Sequence, residues 1–189
     1  DNPYLMGTGY MATLQSLPEP LRSQMLKGDF NAGMEDDPWQ VIPTAWIDQA
    51  MARWKAKDAK GVMDSMGVDV ARGGRDEMII SRRHGTWFDE LIAFPGKETP
   101  DGPFVAAQVM AYRRDLAPVH IDIVGWGSSP YDFLVANKIQ SEPINGANSA
   151  TERTADDTLE FTNMRAQLWW RMREALDPMN PNPIALPPD

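Results

Sequence analysis

The chain has 189 residues, no cysteine and a formal net charge of −9, with 42% hydrophobic and 24% charged residues. Such a composition describes one full-size globular domain and excludes disulfides and thiolate metal sites. The overall charge also weighs against a surface built for non-specific nucleic-acid binding, although it leaves room for a local basic rim.

No apolar run approaches the roughly 18 residues of a membrane span. Asp1-Asn2-Pro3-Tyr4 has neither an initiator Met nor the layout of a signal peptide, so a segment of a longer polypeptide in a reducing cytoplasm is expected. Residues 1–60 read as helical and irregular. Tyr10 to Leu17 has helical spacing until Pro18 and Pro20 interrupt it, and Leu21 to Leu26 is a short helix ending at Gly28. Pro43 to Trp54 is a third helix, with Trp46, Ile47, Ala50, Met51 and Trp54 on one face. Lys55 to Gly61 is polar and reads as a linker.

From Met63 the pattern changes to strands: Met66 to Ala71, Glu77 to Arg83 and Thr86 to Phe94, with short glycine-bearing connections that predict an antiparallel meander. A helix over Phe104 to Arg114 leads into a fourth strand, Val119 to Val124, and a helix between two strands of one sheet implies a parallel crossover. Pro130 to Asn137 is a helix, Ser141 to Asn145 a fifth strand, and Asn163 to Leu176 an amphipathic helix stopped by Asp177-Pro178. Trp169 and Trp170 are expected in the core. The order is that of an α/β, ribonuclease H-like mixed sheet, three antiparallel strands followed by parallel strands four and five. In it the fourth strand lies parallel to the first and beside it.

That placement gives two residues their interest. Met66, Val68 and Val70 share one face of the first strand, Gly67, Asp69 and Ala71 the other, and Ile121 and Ile123 oppose Asp122 on the fourth. Two carboxylates on neighbouring strands suit Mg²⁺ or Mn²⁺, hard ions that prefer oxygen, and a pair of such ions can serve phosphodiester hydrolysis. The alternative is a pair of Asp side chains hydrogen-bonded to backbone. Asp76 lies near the mouth of the same site or is simply a turn residue. Arg72, Arg75, Arg82 and Arg83 form a local basic cluster, either DNA-binding or merely solvated. His120 is expected to face away from Asp122 and to be structural, and Ser129 to cap the following helix. There is no Gly-x4-Gly-Lys-Ser/Thr phosphate loop.

These residues also carry a resemblance. Gly67 to Asp76 is similar to the opening strand of the nuclease domain of tailed-phage terminase large subunits, and His120 to Asp132 to that family's second acidic strand and following helix. Arg165 to Glu174 resembles its penultimate helix, and Leu17 to Arg22 with Gly28-Asp29-Phe30 its connector to the motor ATPase. The resemblance implies residues 1–60 as that connector and 61–189 as the nuclease domain. It implies a Mg²⁺- or Mn²⁺-dependent endonuclease cutting concatemeric double-stranded viral DNA in the host cytoplasm, with a portal protein and a small terminase subunit as partners. Asp69 and Asp122 would be metal ligands and Asp76 a third catalytic carboxylate. The family's ATPase and its last metal-binding acid lie outside these 189 residues, so weak metal binding and poor cutting are expected of them. Two other readings stand beside this one: a non-catalytic docking module, and a nucleotide-binding member of the same fold with phosphate held at Gly73-Gly74.

Overall fold

The computed structural model describes residues 40–56, 60–71, 73 and 75–188. The two expected helices before Gly28, together with Arg72 and Gly74, lie outside the described residues. Alternation of burial organises the sheet. Strand β1 (Ser65–Asp69) pairs antiparallel with β2 (Glu77–His84), and β2 pairs on its other edge with β3 (Trp87–Phe88) and β4 (Ile92–Pro95). Helix α2 (Gly102–Tyr112) crosses over to β5 (Val119–Asp122), which runs parallel to β1, and α3 (Ser128–Ala136) leads to β6 (Ser141–Ile144), parallel to β5. The order β3-β2-β1-β5-β6 is the ribonuclease H-like arrangement expected from the sequence. Pro143 sits in β6, an edge strand where a missing N–H is tolerated.

One face of the sheet makes the main core. Met66, Val68, Met78, Ile80, Val119 and Ile121 are buried against Val105, Ala106 and Val109 of α2 and Leu134 of α3. Each such side chain contributes about 1.5–3 kcal/mol relative to exposure. Helix α2 starts where the Asp101 carboxylate accepts the Phe104 N–H at 3.0 Å, with Pro103 in the first turn. Helix α3 starts two residues earlier than expected, at Ser128, so Ser129 lies inside it and Gly127 takes the cap position.

The expected third strand, Thr86 to Phe94, is broken. Residues Asp89 to Leu91 span the interval opposite only Ser81 and Arg82, which is a β-bulge. Its cause is Asp89, which is 3% exposed and turned inward. Its carboxylate meets Arg82 at 2.7 Å and Lys60 at 2.6 Å, so the bulge delivers a carboxylate to two cations.

A second apolar cluster joins helix α1 (Thr44–Arg53) to α4 (Met164–Leu176) and the C-terminal segment through Ile42, Ala50, Leu176 and Ile184. Residues from Val41 onward form one unit. Trp54 stacks on Trp87 with ring centroids 5.7 Å apart and donates its indole N–H to Phe88 O. The expectation that Trp169 and Trp170 are both core is corrected: Trp169 is exposed, and Trp170 is half-buried, donating to Glu174 Oε1 at 3.1 Å. Their positions differ by about 100° around the helix, and the side of Trp170 meets the loop bearing Phe161.

Asp89→Ala leaves Arg82 and Lys60 without their shared counter-charge and should cost about 3 kcal/mol in denaturant unfolding; an unchanged midpoint would refute the role of the pair. A pH dependence is expected where the 153–160 hairpin meets α4. Burial pushes the Glu174 carboxyl up, but the Ala155 N–H at 2.9 Å and the Arg171 guanidinium outweigh it and hold the group below its ordinary value of 4.5. A carboxyl held low stabilises the fold above its ordinary value and loses that contribution as the pH falls through the lowered one. The Trp170 indole N–H resonance should therefore shift only on acidification below 4.5, and Glu174→Gln should abolish that dependence.

Candidate functional site

Strands β1 and β5 pair Met66 with Val119, Gly67 with His120 and Val68 with Ile121. Asp69 and Asp122 occupy the next positions, abreast on adjacent strands. Because Val68 and Ile121 point into the core, both carboxylates project to the opposite face. Among the described residues no element covers the sheet there, and Gly67, Asp69, Ile79, Ser81, His120, Asp122 and Ile144 line an open groove of about 320 Å³.

Both Asp side chains are exposed. Asp122 Oδ1 accepts the Val124 N–H at 2.8 Å, which orients the carboxylate and leaves its other oxygen to the groove. The backbone beyond is held close: a Cβ on Gly127 would lie 1.7 Å from Asp122 O, so only glycine lets the turn into α3 pack there.

Asp76 is not among the groove residues. It lies three positions before Ile79, the residue paired with Asp69, and is exposed just outside β2. Its carbonyl accepts the Gly96 N–H at 2.9 Å, which pins the turn to the connection after β4. The neighbouring acid, Glu77, is in line with Ile79 on the open face, a placement that alternation from Ile79 would have revealed.

The basic cluster is divided. Arg75 is exposed on the turn and Arg83 on the open face, where its Nε donates to Gly85 O at 2.7 Å. Arg82 lies on the covered face, its guanidinium committed to Asp89 and to Glu90 O, and half-buried over the Tyr112 ring at 6.0 Å. It presents no free cation to a ligand. Arg72 lies outside the described residues. The reading of His120 is corrected: residues two apart on a strand share a face, so His120 lies beside Asp122 and lines the same groove. Its Nδ1 faces the Glu142 carboxylate at 3.7 Å.

The donor set suits a hard divalent ion. Two carboxylates supply oxygen ligands, and Mg²⁺ in particular is commonly held by one or two carboxylates with waters and substrate phosphate completing its shell. Among the described residues no group of three or more His, Asp or Glu is gathered to hold a metal. The residues therefore fit a partly hydrated, weakly held ion. The glycine turn, by contrast, does not offer Gly73 to a phosphate, because its N–H donates to Gly96 O at 2.7 Å.

No protein-family model matches the chain, and no curated protein matches it. Solved structures do. The nuclease domain of the large terminase subunit gp2 of bacterial virus Sf6 is 16% identical, with a TM-score of 0.58 over 77% of this chain and 72% of that one. A mutant of that domain with manganese and beta-thujaplicinol is 17% identical with a TM-score of 0.56, covering the same shares. A mutant gp2c of the Sf6 large terminase subunit with calcium gives 17% and 0.56 as well. At this identity the likeness is one of fold, and the chain has the ribonuclease H-like fold of terminase nuclease domains.

Gly127→Ala should displace the β5–α3 turn and with it the Asp122 backbone. A loss of about 2 kcal/mol or more in denaturant unfolding is expected, and wild-type stability together with unshifted amide resonances at Ile121 to Val124 would contradict it.

Proposed function

We propose that the uncovered sheet face is the site of a Mg²⁺- or Mn²⁺-dependent endonuclease acting on double-stranded DNA, as the nuclease domain of a viral DNA-packaging terminase large subunit. The observation that carries this reading is the register that sets Asp69 and Asp122 abreast on the open face of a ribonuclease H-like sheet. Of the three solved structures named above, two are of a terminase nuclease domain and two hold manganese or calcium.

Asp69 and Asp122 would hold the ions. When bound, two such ions supply Lewis acidity toward an attacking water and toward the leaving oxygen of a phosphodiester. The chain's own residues do the rest. The Val124 N–H fixes the Asp122 carboxylate, so less rotamer freedom is lost on binding. The open face admits a wide polyanion, which a closed cavity would exclude. Arg75 and Arg83, and Arg72 with them, are the residues assigned to DNA phosphates; Arg82 is left to Asp89. Asp76, exposed just before β2, is kept as an outer third carboxylate. A portal protein and a small terminase subunit as partners, and the host cytoplasm as location, belong to the same proposal. Among the described residues no helix is long and apolar enough to cross a membrane.

The test is Mn²⁺ titration of the 189-residue chain followed by EPR, with plasmid nicking measured in parallel. Weak binding is expected, because few charges surround the ion. Asp69→Asn and Asp122→Asn should each weaken it by about tenfold, the loss of one charged ligand, and Asp69→Ala should abolish whatever nicking is seen. Unchanged Mn²⁺ affinity in both Asn variants would remove the nuclease reading and favour a docking module whose acids are structural.

A further inference from the structure

Nothing in the fold accounts for glycine at position 67. Gly96, Gly102 and Gly127 are required, since a Cβ would come within 2.4, 2.2 and 1.7 Å of neighbouring atoms. Gly61, Gly73, Gly85 and Gly125 take positive φ angles of 78°, 67°, 65° and 74°. Gly67 does neither: its φ lies outside the left-handed region, and a Cβ there would meet only Ser81 Cβ, at an ordinary 3.9 Å. It sits in the middle of a central strand, where glycine weakens the sheet and commonly marks the close approach of a ligand or another backbone.

Its surroundings say what would approach. Gly67 pairs with Ser81 on β2 and with His120 on β5, and all three line the groove. The missing side chain therefore leaves a gap walled by a hydroxyl and an imidazole. The Glu142 carboxylate lies against Nδ1 of that ring, which turns Nε2 away from it. Among the described residues neither the Ser81 hydroxyl nor His120 Nε2 has a hydrogen-bond partner. This row lies two strand residues from the Asp69–Asp122 row, about 6.7 Å along the strands, which is close to the separation of successive phosphates in a nucleic-acid strand.

We propose that the gap over Gly67 seats the backbone phosphodiester next to the one presented to Asp69 and Asp122, with Ser81 and His120 as its hydrogen-bonding partners. The proposal rests on the nuclease reading and makes these three residues positioning residues for the DNA strand. A phosphate here fixes the register of the strand without reading its sequence.

The test uses the whole chain with a short fluorescein-labelled duplex, Ca²⁺ replacing Mg²⁺, and anisotropy as the readout. Gly67→Val fills the gap, and because β-branched residues favour strands and glycine's freedom is removed, its melting temperature should equal or exceed the wild type's. Its duplex affinity should fall by about tenfold, the worth of one hydrogen bond to a charged group. Ser81→Ala and His120→Ala should each weaken binding severalfold, and His120→Gln, which keeps an N–H, should restore most of it. Should Gly67→Val melt early, Gly67→Ala with His120→Ala decides instead. Wild-type affinity in the well-folded Gly67 and His120 variants, alongside Mn²⁺ binding that still depends on Asp69 and Asp122, overturns the phosphate seat alone. A wild-type chain that binds no duplex overturns both the seat and the nuclease reading.

Discussion

The parallel pairing of β1 with β5 is the constraint on which everything else in this molecule depends. It aligns Val68 with Ile121, and one step further along it sets two carboxylates side by side. The pairing is secured at its base. Met66 N donates to Pro118 O at 3.0 Å, and the Asp115 carboxylate accepts the Met63 N–H at 2.8 Å. Asp115 and Leu116 both adopt left-handed backbone, with φ of 56° and 57°, to make the turn that leads into β5. A slip of one residue would carry Asp122 into the apolar face and Ile121 out of it, which the buried α2 and α3 contacts forbid.

The sheet is therefore two surfaces with different tasks. The covered face is apolar and absorbs a buried acid, Asp89, by means of a bulge and two cations. The open face carries Gly67, Asp69, Ser81, His120, Asp122 and Glu142, none of which is buried. On the proposed reading, the net charge of −9 is no bar to a DNA partner. Part of that negative charge is concentrated where divalent cations would neutralise it, and Arg82, which looks like a DNA contact in the sequence, is spent on holding the bulge.

Much of this was legible in the chain itself, for a physical reason particular to each element. Alternation in Met66–Asp69 and in Val119–Asp122 is a local property, so the outward direction of both acids followed from it. Helix α4 starts as expected at Asn163, whose side chain accepts the Ala166 N–H, whereas α2 begins before the expected Phe104, with the Asp101 side chain accepting the Phe104 N–H. The break in the third strand was hidden, because Thr86 to Phe94 is a continuous run of strand-formers and the partners of Asp89 come from distant positions. His120 shares a face with Asp122 because positions two apart on a strand do, and Trp169 points to solvent because adjacent helical positions diverge by about 100°.

What the sequence determined by itself was the set of short-range facts: which residues alternate, where caps and turns end an element, and which acids cannot point inward. Those depend on backbone sterics and on hydrogen bonds between near neighbours. What only the tertiary structure decided was company. It seated His120 and Ser81 on either side of Gly67, gave Arg82 to Asp89, and set Glu77 in line with Ile79 on the open face. Those outcomes depend on strand register and on contacts between segments far apart in the chain, which no local pattern encodes.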